Sequence, residues 1–256
     1  MRKIGIVLSG GGIRGIAHLG VLKAFSNAGI QFSHISGTSA GSIAGAFYAS
    51  GVDPEEGLKI FLKTKLLRFI RPALQGLGLI NIERTTALFQ NYFPDDRIES
   101  LKIPLTIAAT NFSEGKIEYF NQGPLIRTVQ ASSCIPGIFS PVMINNQMYV
   151  DGGILNNFPV EPLIGNCDFI IGSSCNHLNP VEKITKIRAL MGRAFLMSIN
   201  KDMEEKSPLC DVLIEPKGMG EIKTFDTAKA ETIYWLAYEE TLRALETNEK
   251  LKQLLA

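Results

Sequence analysis

Twice within its first 51 residues the chain passes from a short apolar run through a glycine-containing turn into a helical repeat. The first run, Ile4–Leu8, enters Ser9-Gly10-Gly11-Gly12-Ile13-Arg14-Gly15. From about Arg14 the apolar residues Ile16, Leu19, Leu22 and Phe25 then share one helical face, with Gly29 placed to end the helix. The second run, Gln31–Ser36, enters Gly37-Thr38-Ser39-Ala40-Gly41 and predicts a helix over Ser39–Ser50. A short, continuously apolar strand that feeds a helix is the unit of a parallel sheet covered on its faces by helices. Gly41, Gly45 and Ala49 recur at four-residue spacing on the second helix, which implies that it lies close against a neighbour.

The same reading continues along the chain. Pro104–Thr110, Lys116–Phe120, Gln147–Val150, Phe169–Ser173 and Val212–Glu215 predict strands, and Ile184–Ser198 and Thr227–Glu246 predict helices. Asp53 stands before Pro54-Glu55-Glu56 as a helix N-cap. No repeat, low-complexity tract or linker divides the sequence, so one α/β domain over residues 1–256 is expected. Two segments stand apart. Residues 57–93 are a candidate lid or cap insertion, in which Lys59, Lys63, Lys65, Arg68 and Arg71 interleave with apolar residues. Gly218–Ala228 reads as an exposed loop.

The formal net charge of +1 provides no global attraction to nucleic acid or to an anionic membrane, so either contact would need a local patch. Cys134, Cys167, Cys175 and Cys210 lie far apart without a C-x-x-C pair, which fits neither a zinc site nor a small disulfide scaffold. The apolar run at Ile4–Leu8 is too short for a signal peptide, and no stretch approaches the ~18–20 apolar residues of a membrane span. A soluble cytoplasmic protein is expected, at most peripheral to a membrane.

The first glycine loop satisfies G-x-G-x-x-G between a strand and a helix. As a dinucleotide site it would need an acidic residue about 20 positions on, at the end of the second strand. None occurs between Lys3 and Asp53, and the Gly-Lys-Ser/Thr of a phosphate-binding P-loop is also missing. Two readings stay open. Consecutive glycines can aim backbone N–H groups at a developing oxyanion, with Arg14 holding the loop or steering an anionic substrate. Alternatively the loop is a turn needed only for close packing.

The second turn, Gly37–Gly41, is a G-x-S-x-G pentapeptide, which presents a serine on a sharp strand-to-helix elbow with a helix N-terminus behind it. A serine hydroxyl needs a base, and the chain has three histidines. His18 falls inside the first helix, and His34 is held on the strand leading to the elbow. Only His177, in a loop after a strand, sits where a triad histidine would. A desolvated carboxylate can serve instead, because burial raises its pKa toward the working range. Asp151 is the best placed, in Val150-Asp151-Gly152-Gly153 at the end of a strand, whereas Asp95, Asp96 and Asp168 lack that context.

The succession GGGIRG (Gly10–Gly15), GTSAG (Gly37–Gly41) and DGG (Asp151–Gly153) resembles the patatin-like phospholipase family. The likeness extends to Ala17–Leu22, to Ala131–Val142 and to Asn156-Asn157-Phe158-Pro159-Val160, and it is strong over roughly Lys3–Pro162. The resemblance implies a three-layer α/β/α sandwich around a mostly parallel sheet and a Ser–Asp dyad without histidine. It assigns the nucleophile to Ser39, the base to Asp151 and the oxyanion donors to the amides of Gly11 and Gly12, with Ile13 beside them. Gly153 stands where the family has glycine or alanine; Cys134 stands where small residues are frequent and is not read as catalytic. Such a hydrolase takes a lipid or small acyl ester and needs no metal or cofactor.

Leu58–Leu74 could lie on a membrane as a basic amphipathic helix, or form an ordinary surface helix with solvated lysines. Two functions compete: a serine acyl-ester hydrolase, and a regulatory or partner-binding protein on the same fold. Oligomeric state is left open, and no nucleic-acid partner is expected.

Overall fold

The computed structural model describes residues 2–63, 82–181, 183–185, 187–222 and 227–255. In chain order its elements are β1 (Ile4–Leu8), α1 (Ile16–Asn27), β2 (His34–Thr38), α2 (Ala40–Ser50), α3 (Pro54–Lys63), α4 (Thr86–Gln90), β3 (Leu105–Asn111) and β4 (Lys116–Phe120). There follow α5 (Leu125–Ser133), β5 (Val142–Ile144), β6 (Gln147–Asp151), β7 (Phe169–Ser173), α6 (Ile187–Lys206), β8 (Val212–Ile214), α7 (Ala230–Thr247) and α8 (Glu249–Leu255).

The strands form one mostly parallel sheet in the order β5-β6-β3-β2-β1-β7-β8, with β4 also paired to β3. The central pairs, β3 with β2, β2 with β1, β1 with β7 and β7 with β8, are all parallel. Alternation along β1 sorts the two faces. Ile6 and Leu8 join Ile35, Ile107 and Ile171 in the larger core, with α1, α2, α5 and α7. Val7 and Ile170 face the other way and are covered by Phe158, Val160, Leu163 and by Met203 of α6. The helices flanking the sheet are therefore unequal layers, the thinner one supplied by the segment after Asp151.

One register detail matters most for the site. β3 pairs with β2 through Ala108, opposite Thr38, and from Ala109, opposite Asp151, it pairs with β6. β4 overlaps both stretches of β3, so β2 and β6 must share the opposite edge of β3 in succession. Consecutive residues of one buried strand thus bring the end of β2 and the end of β6 together. The join tolerates no side chain: a Cβ on Gly152 would collide with the Ala108 carbonyl. The small-residue face of α2 has the same cause, since a Cβ on Gly41 would strike the Leu8 carbonyl at the end of β1.

Several expectations shift. β2 begins at His34 rather than Gln31, because Phe32 turns inward and meets Phe25 and Tyr48 edge-on. α6 starts later and runs further than Ile184–Ser198. The Asp53 cap is present, its Oδ1 accepting from the Glu55 amide at 2.9 Å while Oδ2 pairs with Lys23. The expectation of an exposed loop over Gly218–Ala228 is wrong for its first part. Met219 and Ile222 are buried in the same core as α1 and α7, which anchors Lys217–Glu221 as a turn of 3₁₀ helix. Residues 223–226 lie outside the described set.

The candidate lid is split in the same way. Its flanks are packed, with Leu58 and Ile60 buried and Phe89 and Phe93 stacked around Phe47. Residues 64–81, and with them most of Leu58–Leu74, lie outside the described residues. No helix among the described residues is long and apolar enough to cross a membrane.

Candidate active site

The glycine loop leaves β1 at Leu8 and is stitched down at its start. The Ser9 amide donates to the Ser173 carbonyl at 3.1 Å and the Gly10 amide to the Asn157 carbonyl at 3.1 Å. The Gly10 carbonyl accepts from the side-chain amides of Asn157 and Asn176. Beneath them His18 bridges the loop to β7, with Nε2 2.8 Å from the Ser9 carbonyl oxygen and Nδ1 2.8 Å from Ser173 Oγ. Burial pushes this imidazole down to about 4, so it is neutral at ordinary pH.

Gly12 takes φ of +59°, a left-handed conformation that favours glycine, and no acceptor is bonded to the amides of Gly11 or Gly12 among the described residues. Ile13 packs its side chain against the core, and Gly15 is buried. Arg14 is not available to steer a substrate. It is buried, its Nε donates to the Ile222 carbonyl at 2.7 Å, and desolvation lowers its pKa. Of the two roles expected for Arg14, holding the loop is the one its position allows.

Ser39 sits at the tip of the elbow with φ 52° and ψ −123°. A non-glycine residue there stores strain of about 1–3 kcal/mol and persists only where its surroundings fix it. They do so on several sides. The Ser39 amide donates to Ser132 Oγ at 2.8 Å, and that hydroxyl in turn donates to the Ala108 carbonyl at 2.7 Å. Ser42 Oγ returns to the Ser39 carbonyl at 2.7 Å, and Thr38 Oγ1 donates to the Asn156 carbonyl at 2.9 Å.

Asp151 ends β6 beside this elbow. Ser39 Oγ donates to Asp151 Oδ2 at 2.6 Å, and the Gly153 amide donates to Oδ1 at 2.8 Å. Backbone bonds hold the carboxylate's base: its amide donates to the Cys134 carbonyl and its carbonyl accepts from Thr110 Oγ1. Burial raises the carboxyl to about 6, although both hydrogen bonds pull the other way. Ser39, Asp151, Gly11, Gly12, Gly153 and Asn157 line one narrow pocket, whose remaining wall is apolar: Ile135, with Leu196 and Ile199 from α6.

The three histidines are engaged elsewhere. His34 Nε2 meets Thr106 Oγ1 at 2.9 Å, and His177 Nδ1 lies 3.2 Å from Glu215 Oε2. His177→Ala is expected to leave ester turnover within about three-fold of the parent, since it would remove only that surface pair. A loss matching that of Ser39→Ala would restore a histidine base. The Cys134 thiol is buried, donates to backbone carbonyls and is pushed up to about 12 by burial, so it stays protonated. Among the described residues no group of three His, Cys, Asp or Glu side chains gathers as a metal site would require.

Local motifs pointed to Ser39, Asp151 and the glycines, and the fold brings them together. Ser132 and Asn157 lay in stretches already noted, but their bonds to the Ser39 amide and to the Gly10 carbonyl had no local signal. Nothing in the sequence placed α6 over the pocket.

The fold and this pocket define an α/β protein with a serine–carboxylate pair at a strand-to-helix elbow facing a glycine loop. The chain belongs to the patatin-like phospholipase family, whose model matches residues 6–164, more than half of its length. It is 33% identical over 177 residues to an uncharacterized NTE family protein of Mycobacterium tuberculosis, covering 68% of this chain and 49% of that one. It is 31% identical over 293 residues to lysophospholipase nte1 of Aspergillus niger, covering 98% of this chain but 18% of the fungal protein. The chain thus spans half or less of these relatives. VipD from Legionella pneumophila shares the fold, with a TM-score of 0.64 at 15% identity over 96% of this chain and 67% of VipD.

Proposed function

We propose that the protein is a serine acyl-ester hydrolase for lipid-like carboxylic esters, a phospholipid or lysophospholipid acyl hydrolase working through a Ser39–Asp151 dyad. The observation that carries this is the 2.6 Å bond from Ser39 Oγ to a buried Asp151, set opposite glycine amides that bond no acceptor among the described residues. Family membership and the lysophospholipase name of the fungal relative support the same reading.

Ser39 Oγ attacks the ester carbonyl carbon while its proton passes to Asp151 Oδ2. The amides of Gly11 and Gly12, with that of Ile13 next to them, receive the oxyanion, and one such donor is typically worth about 2.7–4 kcal/mol of barrier. Collapse breaks the bond to the alkoxy oxygen, which takes the proton back from Asp151 and leaves as an alcohol, here a glycerol-based one. The acyl group stays on Ser39. Asp151 then accepts a proton from water, whose oxygen attacks the acyl carbon, and the fatty acid and the Ser39 hydroxyl are regenerated. Ile135, Leu196 and Ile199 offer the acyl chain an apolar wall.

A fluorophosphonate probe tests the assignment together with a panel of esters of rising chain length. A single phosphonyl adduct on Ser39 and turnover rising with acyl length are expected. Absence of labelling with absence of turnover would favour a regulatory or partner-binding protein on this fold.

A further inference from the structure

We propose that Asn176, with Asn157, positions the oxyanion donor of the glycine loop by gripping the carbonyl end of the peptide group that carries it. The inference rests on the hydrolase reading above, in which the Gly11 amide receives the oxyanion, and adds to it the residues that aim that amide.

The Gly11 N–H and the Gly10 C=O belong to one planar peptide group. That bond is trans, so the oxygen and the hydrogen point in opposite directions from a rigid plane. Whatever grips the oxygen therefore aims the hydrogen. The grip is made by side chains: Asn157 Nδ2 donates to the Gly10 oxygen at 3.3 Å, and Asn176 Nδ2 donates to the same atom. Cys175 Sγ, 3.6 Å away, adds a weak third contact. Two amide donors occupy both lone pairs of a carbonyl. By polarising the peptide they also make its N–H a stronger donor.

The glycine run is shaped for this grip. A Cβ on Gly10 would strike Asn157 Oδ1, and one on Gly11 would strike Cys175 Sγ and come within 3.0 Å of Asn176 Oδ1. Asn176 is fully buried and is not among the residues that line the pocket. Its Nδ2 bonds Gly10 while its Oδ1 has no partner among the described residues, a cost that a leucine of similar shape would not incur. The donor is what the asparagine provides. Its backbone is fixed separately: Asn200 Nδ2 of α6 donates to the Asn176 carbonyl at 2.8 Å, and the Asn176 amide donates to Ser174 Oγ at 3.4 Å. Neither bond uses the side chain, so the grip can be removed by itself.

The experiment compares Asn176→Leu, which keeps the shape and removes the donor, and Asn176→Ala with the parent full chain. Steady-state kinetics on a soluble short-chain ester are read beside the rate of fluorophosphonate labelling. In Asn176→Leu kcat is expected to fall about ten-fold, less than the roughly 10²–10³-fold that follows removal of a whole oxyanion donor. KM should stay within about two-fold, since only the transition state loses a partner. Labelling should slow by a similar factor, because the phosphonyl oxygen enters the same site. The pH step near 6 should stay in place, because Asp151 is untouched. The thermal midpoint of the leucine variant should remain within about 3 °C of the parent, as one bond and one unpaired oxygen leave together. Asn176→Ala should lose activity in the same direction. Parental kcat and labelling rate in both variants would overturn the inference. So would a thermal midpoint lowered by about 10 °C or more in both, which would make Asn176 a prop of the fold. A parent that neither takes the label nor turns over any ester would instead sink the hydrolase reading, and the role of Asn176 with it.

Discussion

Ser39→Ala is expected to lower kcat on an acyl ester by about 10⁴-fold or more, with the fold retained. No other group in the pocket can replace the hydroxyl. Asp151 is the proposed base, Asn157 is bonded to the Gly10 carbonyl, and Cys134 is buried and protonated. The apolar wall proposed for the acyl chain does not involve Ser39, so KM should move far less than kcat. Loss of the adduct-forming hydroxyl also abolishes the phosphonyl mass shift. A folded alanine variant with near-parental turnover would end the assignment of Ser39.

Asp151→Asn is expected to cost about 10²–10⁴-fold in kcat, the usual range for a positioned general base. The amide is close to isosteric but cannot accept the serine proton. The parent should show the base in its pH profile. Because burial lifts the carboxyl to about 6, kcat/KM should rise through that value and level off above about pH 7, and the variant's residual rate should lack this step.

Stability should move the opposite way. A carboxyl held at about 6 when folded and near its ordinary 3.8 when unfolded loses its proton first in the unfolded chain. Ionisation therefore favours unfolding as pH climbs from 4 to 6, and above 6 the folded state carries the whole penalty, about 3 kcal/mol. Asp151→Asn should raise the thermal midpoint at pH 8 and leave it nearly unchanged at pH 4. A variant that is both inactive and less stable at pH 8 would mean that the carboxylate holds the fold rather than burdens it.

What the sequence revealed of the site was local chemistry. A serine between glycines, a carboxylate before two glycines and a glycine loop after a buried strand each carry their backbone requirement within five or six residues. Their convergence was not local. It depends on β3 exchanging β2 for β6 between Ala108 and Ala109, a register that no pattern along β3 announces. Ser132 was visible as a small polar residue, but its role follows from a hydroxyl that must accept from the Ser39 amide and donate to Ala108 at once. Gly218–Ala228 was misread because glycine and polar residues outnumber Met219 and Ile222, yet those two set the packing. α6 reads as an ordinary helix, since apolar residues on both sides blur its period.

The buried His18 gives the molecule a distinctive response to acid. Its imidazole is held at about 4 in the fold against an ordinary 6.5, so the unfolded chain takes up that proton first and the native state loses about 3 kcal/mol as pH falls between those values. Asp151 works in the reverse sense over nearly the same interval, returning a similar amount as its carboxyl is neutralised. The two titrations almost cancel in the free energy of folding, whereas only one of them governs the chemistry. Mild acidification should therefore protonate the proposed base at little net cost from these two buried groups, an off state that neutralising the medium would reverse.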